Sequence, residues 1–541
     1  MSRVSNRAVA RQALLLACAL IVLNVSLAFS NVWPTPAVQW HGQLSAEVAF
    51  VIFGLAAAAE FGWGASRRLL SVATVVWVVL IIGRYADVTV QSLFGRELNL
   101  YWDARHFSAV GAMLAFVARP WLLLLVAAVG IAIPILLFLP SRWALRVVSG
   151  SMQHATTRRT LGAIAAITLV LAVVQHREEP YTELPQFSTA VTPVFALQAR
   201  KLAVELTGIN RHDLAPAPSV DSDFSRVQGA DVFVVFLESY GASSYDRPEY
   251  LERLVPARER LAAAIRESGR DVVSAYAESP TFGGSSWLAH VSLLSGTEVR
   301  DGDTNVRLMA QPERDTLVTA FRRHGYHSVA VMPGLQQAWP EGKFYGFDEI
   351  YGVRQLDYQG PGFGWWDVTD QYAVAKMDAL AVQRTDRAPL FVFFPTISTH
   401  TPFTPVPPYQ PNWPRMLEKH PYEPALTAGA WDEQPNWMNL GPGYTKALSY
   451  SFDTLGGYLR LRHDRDFVVV LLGDHQPPSV VSGEGASWEV PVHVIASRKG
   501  LLDRLMQHGF RRGLQPAHPA VTRIDGLMPV LLDAFGDREG D

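Results

Sequence analysis

The chain has 541 residues, 49% hydrophobic and 18% charged, with a net charge of −3 and a single cysteine. Soluble domains carry roughly a quarter charged residues, so this deficit, with a mean hydropathy of +0.10, points to membrane segments. The apolar content excludes a disordered chain and the lone Cys18 excludes a disulfide scaffold. A pI near 6.6 excludes a polybasic nucleic-acid binder.

The charge is unevenly distributed. Residues 1–176 hold 13 arginines, no lysine and five acidic residues, which is +8; the rest of the chain holds the other 34 basic and 45 acidic residues, which is −11. Two differently built parts are expected to join near residue 176. In the first part, apolar runs near 12–30, 45–63, 69–83, 120–139 and 160–175 read as five membrane helices, since a hydrocarbon core of about 30 Å takes roughly 20 helical residues. Arg3, Arg7 and Arg11 before the first run also suit a signal peptide, but the run is long for one and more spans follow, so an uncleaved helix is expected.

Orientation follows from the arginines. With a cytoplasmic N-terminus, Arg3, Arg7, Arg11, Arg67, Arg68, Arg142, Arg146, Arg158 and Arg159 all fall inside, and the first outer loop, 31–44, has no basic residue. Five spans then place everything after residue 176 outside the cytoplasm, facing a periplasm or a cell surface. Glu47 and Glu60 flank the second run, as interfacial residues or as part of an ion path. Leu93–Asp103 suits a helix lying in the interface, or an extension of its neighbours.

Residues 177–228 read as a juxtamembrane connection. Phe195–Leu206 has helical spacing, and Ala-Pro-Ala-Pro-Ser-Val-Asp-Ser-Asp (215–223) reads as a tether. From 229 to 541 the pattern is α/β. Apolar runs at Val232–Leu237, His327–Met332, Leu390–Phe394, Phe467–Leu472 and Val490–Ala496 alternate with helical spacing at Glu249–Glu267, Glu313–His324 and Val368–Gln383. This predicts a mostly parallel sheet with helices on both faces, whose ligands sit at the carboxyl ends of the strands.

The residues following those runs form one set. The run at 232–237 leads into Glu238-Ser239, that at 467–472 into Gly473-Asp474-His475, and that at 390–394 into Thr396-Ile397-Ser398-Thr399-His400-Thr401-Pro402-Phe403. A glycine turn, Gly283-Gly284-Ser285-Ser286, opens an apolar helix. Two carboxylates and an imidazole suit a divalent cation, Mn²⁺, Mg²⁺ or Zn²⁺. A serine hydroxyl beside a cation is a competent nucleophile, and a helix N-terminus favours an anion. His400 could hold or protonate a phosphoryl oxygen.

The set FLES (236–239), GGSS (283–286), TISTHTPF (396–403) and LLGDH (471–475) resembles the sulfatase-like branch of the alkaline phosphatase superfamily. Within it the chain looks like the lipoteichoic-acid-synthase and phosphoglycerol-transferase type. That resemblance implies five membrane helices and an extracytoplasmic catalytic domain. It implies one divalent cation, commonly manganese, on Glu238, the nucleophile, Asp474 and His475, with His400 binding substrate. Ser285 matches the nucleophile, with Ser286 as the alternative. Trp339, Glu341 and Lys343 stand where the family contacts its headgroup, though Trp-Pro-Glu-Gly replaces the family's Trp-Asn-Arg-Asp. A formylglycine sulfatase is disfavoured, because the residues after Ser285 lack the C/S-x-P-x-R pattern.

The implied function is transfer of a phosphoglycerol-like headgroup from a membrane phospholipid to an envelope glycan or polymer, through a serine-bound intermediate. The alternatives are a membrane-tethered phosphodiesterase or phosphatase, and a non-catalytic envelope sensor. His290 and His493 read as core or supporting residues. Trp365 and Trp366 read as packing, or as the floor of a sugar or headgroup pocket.

Overall fold

The computed structural model describes residues 2–64, 66–94, 97–100, 120–177, 186–207, 214, 216–311, 313–337, 339, 341–364 and 367–537. The chain divides into two compact units, residues 1–92 with 97–211, and residues 212–541 with 93–96.

The first unit is helical: α1 (Ser2–Leu27), α2 (Ala46–Glu60), α3 (Arg67–Phe94), α4 (Pro120–Ser151), α5 (Ala155–Arg177) and α6 (Val191–Thr207). Among the described residues, four stretches are long and apolar enough to cross a membrane: Val9–Leu27, Arg67–Leu93, Leu123–Ser151 and Ala155–Gln175. The second expected span, α2, has only 15 residues, roughly 22 Å at the helical rise. It nevertheless lies along α5. Its Glu60 carboxylate takes Arg158 Nε at 2.5 Å and Arg159 Nη2 at 3.1 Å. A Cβ on Gly162 would meet that of Ala56 at 3.2 Å. At the other end Leu44 bridges Phe187, and Glu47 Oε1 accepts from the backbone N–H groups of Val191 and Thr192 at 2.5 and 3.1 Å. Glu47 therefore caps the N-terminus of α6, where a carboxylate meets unpaired N–H groups and the positive end of the helix dipole. Of the expected interfacial helix at 93–103, Leu93 and Phe94 end α3, residues 97–99 are irregular, and residues 95, 96 and 101–103 lie outside the described residues.

The second unit is built on a nine-stranded sheet ordered β10-β4-β9-β8-β3-β7-β5-β6, with β11 beside β4. Its strands are β3 (Asp231–Leu237), β4 (Asp271–Glu278), β5 (His327–Val331), β6 (Glu349–Tyr351), β7 (Leu390–Pro395), β8 (Phe467–Gly473), β9 (Glu489–Ala496), β10 (Arg511–Arg512) and β11 (Thr522–Arg523). The remaining strands, β1 (Ser30–Asn31) and β2 (Val38–Gln39), form a short ladder in the first unit. The run β8-β3-β7-β5-β6 is parallel; β9 is antiparallel to β8 and to β4. The five expected strands form where their β-branched and aromatic runs lie, while β4, whose residues mix polar with small apolar ones, had no such signature.

Strand periodicity explains why β3, β7 and β8 are buried throughout. Val232, Val234 and Phe236 of β3 face one core with Val468, Val470 and Leu472 of β8 and Phe391 and Phe393 of β7. The alternate residues, Phe233, Val235, Leu237, Phe467, Val469, Leu471, Val392 and Phe394, face the other. The helices used below are α7 (Pro248–Glu267), α8 (Trp287–Ser295), α9 (Leu317–Arg323), α10 (Asp370–Met377), α11 (Gly441–Leu461), α12 (Lys499–Gln507) and α13 (Ile524–Phe535). Packing of α8 against α13 helps cover the first face, and α7 and α11 cover the second.

Phe321 of α9 is an aromatic hub, fully buried against Phe224, Tyr326, Phe391 and Phe535 at centroid distances of 4.7, 4.8, 4.4 and 5.6 Å. Phe321→Ala is expected to destabilise this unit by about 3–5 kcal/mol through lost contacts and a residual cavity. The measurement is the midpoint of its thermal unfolding in the detergent-solubilised full chain.

At the edge, His518 bridges Asp246, at 2.9 Å, and Glu489, and stacks on Tyr276 at 4.3 Å. Burial alone would lower its pKa, but the bonds to Asp246 and Glu489 raise it. The raised folded-state value makes the bridge stabilising below the usual imidazole range, near 6.5. That contribution is lost as pH rises through the folded value. The unfolding midpoint should therefore fall more between pH 6 and pH 9 in the wild type than in His518→Gln; equal falls would discount the bridge.

Candidate active site

Parallel strands β3, β7 and β8 bring their carboxyl ends to one edge, and the expected groups meet there. Glu238 follows β3, and Asp474 and His475 follow β8. These three are buried, and one ligand atom from each lies within 4.8 Å of the others. His475 Nε2 is 3.4 Å from Glu238 Oε1 and 3.8 Å from Asp474 Oδ1. The backbone orients each group. Asp474 Oδ1 accepts from the N–H groups of Ser239 (2.8 Å) and His475 (2.7 Å). His475 Nδ1–H donates to the Gln476 carbonyl at 2.7 Å, which turns Nε2 toward the carboxylates. Glu238 N–H donates to Thr396 Oγ1 at 3.1 Å, tying β3 to the loop after β7.

The glycine in Leu-Leu-Gly-Asp-His is required by space. A Cβ at Gly473 would sit 1.8 Å from the carbonyl oxygen of Tyr240. Only glycine lets the end of β8 lie against the Glu-Ser-Tyr turn, so Gly473 sets the approach of Asp474 to Glu238.

Between the two serines, the structure brings Ser286 into the cluster. Its Oγ donates to Glu238 Oε2 at 2.7 Å and lies 3.1 Å from His475 Nε2. Ser285, the residue expected from the motif, has no hydrogen bond to these groups. Its backbone is left-handed, φ 61°. That turn carries Ser286 to the N-cap of α8 and aims its hydroxyl into the cluster. Ser239 (φ 58°) and Phe403 (φ 66°) share this conformation in the neighbouring loops. Such backbone costs on the order of 1–3 kcal/mol per residue and persists where the surroundings enforce it, commonly at functional sites.

His400 is exposed on the loop after β7, where its Nδ1 pairs with the Thr401 carbonyl at 2.7 Å. Its charge also acts on Glu238. A groove beside it is lined by Phe363, Ser398, Pro402 and Thr404 among others. Asp370, at the start of α10, was not singled out by the sequence. Its carboxylate accepts from the N–H groups of Ile397 and Ser398, both at 2.9 Å, and so shapes the His400 loop. Burial raises its pKa to about 6 against those bonds. An acid in the first turn of a helix, 27 residues upstream of that loop, has no local signature of this role.

Trp339, Glu341 and Lys343 make no contact with the cluster. Trp339 packs on Tyr345 (5.4 Å) and Phe347 against the core, while Glu341 and Lys343 are exposed around a short helix, Gly342–Tyr345. His290 lies between Phe236 and Phe393, and burial lowers its pKa to about 3. His493 is buried and bonded to Ser274 and Tyr240. Trp365 and Trp366 lie outside the described residues.

The donor set fits a divalent cation. Asp474 Oδ2 is buried without a hydrogen-bond partner, a costly state for a carboxylate oxygen that a cation would relieve. Burial favours neutral groups, yet the charge of His475 holds Glu238 well below the usual carboxylate range. Burial and the charge of Glu238 push Asp474 well above it. Burial opposes a charged His475, but Asp474 and Glu238 raise it to about 9. Three groups competing over protons in a small buried volume form an arrangement that one doubly charged ion would neutralise.

Residues 309–494 match the sulfatase family. The match runs from before β5 into β9 and includes His400, Asp474 and His475; Glu238, after β3, and Ser286, at the start of α8, lie upstream of it. Among solved structures, the chain is similar to the lipooligosaccharide phosphoethanolamine transferase A (EptA) of Neisseria meningitidis, at 12% identity over 95% of each chain and a TM-score of 0.45. It is similar to the lipoteichoic acid synthase LtaP of Listeria monocytogenes, at 15% identity over 63% of this chain and 79% of that one, TM-score 0.39. For the phosphoglycerol transferase GacH of Streptococcus pyogenes the figures are 11%, 64%, 81% and 0.35. At such values no residue role is carried across. No curated protein matches in sequence.

Proposed function

We propose that the chain is a membrane-anchored, divalent-cation-dependent phosphotransferase that moves a phospho-headgroup from a membrane phospholipid to a glycan or polymer acceptor. The observation that carries this reading is the position of the Ser286 hydroxyl, 2.7 Å from Glu238 and 3.1 Å from His475, at the mouth of a helix. Glu238, Asp474, His475 and Ser286 would hold the cation, with Mn²⁺ the first choice for two carboxylates, an imidazole and a hydroxyl. When bound, it lowers the pKa of a neighbouring hydroxyl and offsets charge on a phosphoryl group.

In the first half-reaction Ser286 Oγ forms a bond to phosphorus, and the bond from phosphorus to the diacylglycerol oxygen breaks. The diacylglycerol leaves with a proton, and the headgroup phosphate remains esterified to Ser286. In the second, an acceptor hydroxyl forms the new phosphodiester and Ser286 recovers its proton. His400 stands at the groove to bind a phosphoryl oxygen and to pass these protons. The transferred group is read as phosphoglycerol-like. The membrane unit is read as five spans, because α2 packs lengthwise against α5, from Glu60 at Arg158 to Ala56 at Gly162, with a cytoplasmic N-terminus and the sulfatase domain outside.

The test is to incubate purified protein with Mn²⁺ and phosphatidylglycerol or phosphatidylethanolamine, with and without a glycan acceptor. Diacylglycerol release and a phospho-headgroup adduct on Ser286 by mass spectrometry are expected, with product on the acceptor. Product formed at the same rate on water alone would make it a hydrolase. No diacylglycerol from either lipid, at full metal occupancy, would sink the reading.

A further inference from the structure

The sulfatase domain concentrates its exposed apolar surface in one short segment. Of the eight exposed large apolar side chains described in this unit, five lie between residues 417 and 438: Leu417, Leu426, Trp431, Trp437 and Met438, the last two 59% and 71% exposed. Clusters of this kind on an otherwise polar domain mark an interaction surface. Of the charges in and beside the segment, Arg415 pairs with Glu423 and Lys446 with Glu433, each at 2.5 Å, while Glu418, Lys419 and Asp432 are exposed.

The patch is continuous with the candidate site. Trp431 stacks on Phe363 at 5.3 Å and 13°, and its indole N–H donates to the Gly362 carbonyl at 3.1 Å. Phe363 in turn lines the groove that holds His400. The indole is therefore held rigidly, its polar edge satisfied and its remaining apolar surface presented outward.

We propose that this segment seats the sulfatase domain on the outer surface of the lipid bilayer, with Trp431, Trp437 and Met438 inserted at the headgroup level. The occupant is argued from three observations. The same chain carries apolar helices long enough to cross a membrane, so a bilayer is always within reach of the tethered domain. Tryptophan with Leu and Met is the composition that partitions into the membrane interface. Continuity through Phe363 then sets the His400 groove beside lipid headgroups, so a donor need rise only part of its length to reach Ser286. This last consequence rests on the lipid-donor reading above; the docking itself does not.

The test uses the full chain in phosphatidylcholine–phosphatidylglycerol vesicles. The single native cysteine allows a Cys18→Ser background. In it, Met438→Cys is labelled with an environment-sensitive fluorophore, and Val306→Cys, 59% exposed on another surface helix, is the control. The label at 438 is expected to shift to the blue and to be quenched roughly two-fold or more by doxyl-labelled lipid, and the label at 306 to stay water-like. A water-like, unquenched label at 438 overturns the docking, whether or not the protein turns over lipid. Quenching at 438 without any diacylglycerol release keeps the docking and defeats the transferase reading instead. In the Trp437→Ser/Met438→Ser variant, the donor KM in vesicles should rise several-fold. A rise confined to the KM of a soluble glucan acceptor would make the patch a sugar platform and overturn the proposal.

Discussion

Ser286→Ala should abolish transfer, lowering kcat by at least about 10³-fold and eliminating any covalent adduct, because the other hydroxyl on Glu238, that of Ser239, does not stand at the start of α8 beside His475. The arrangement is specific. Ser239 Oγ also donates to Glu238, at 3.2 Å, but it is Ser286 Oγ that bonds Glu238 at 2.7 Å and lies 3.1 Å from His475, at the N-cap of α8 where backbone N–H groups favour a phosphoryl anion. Ser285 should behave differently. It is the residue that makes the turn, with φ 61°, and alanine in that conformation is no more strained than serine. Ser285→Ala is therefore expected to keep activity within about tenfold of wild type. Steady-state kinetics and peptide mass spectrometry on both variants decide the matter. An adduct on residue 285, or a larger loss in Ser285→Ala than in Ser286→Ala, would reverse the assignment.

Asp474→Asn should remove cation dependence while leaving the fold intact. Asp474 Oδ1 is committed to two backbone N–H groups, a role that the amide oxygen of asparagine can keep. Oδ2, buried without a partner, becomes an NH₂ group with no lone pair and no charge to offer. The Kd for Mn²⁺ should rise by about 100-fold or more, with activity falling in step at a fixed metal concentration. Stability gives a second readout. A ligand present at 100 times its Kd raises wild-type stability by about 2.7 kcal/mol, so adding Mn²⁺ should lift the wild-type unfolding midpoint and leave that of the variant unmoved. Without metal the variant should unfold no lower than wild type, since one of two facing carboxylates is gone. A variant that still responds to Mn²⁺ would remove Asp474 from the ligand set.

Much of this site was legible because Glu238 and the Asp474-His475 pair each follow a strand with a strong local signature. Val232–Leu237 and Phe467–Leu472 consist of valine, phenylalanine and leucine alone, and their parallel pairing carries the following Glu238 and Asp474-His475 to the same edge. Where the structure adds to the sequence, the interactions are long-range. Asp370 shapes the loop of His400 through two N–H bonds from residues that follow a different strand. Trp339, placed by motif position near the headgroup, instead joins the aromatic packing of Tyr345 and Phe347. β4 pairs with β9 over its whole length without a distinctive local pattern, its place being set by the partner strand.

The sequence by itself determined that an arginine-bearing apolar part precedes an acidic α/β domain, and which acids and histidines stand at strand ends, because periodicity and charge placement are local properties of the chain. Only the tertiary structure decided that Ser286 rather than Ser285 enters the cluster. Two adjacent serines are equivalent in a motif, and the left-handed turn that separates them exists only when β3, β8 and α8 are packed together.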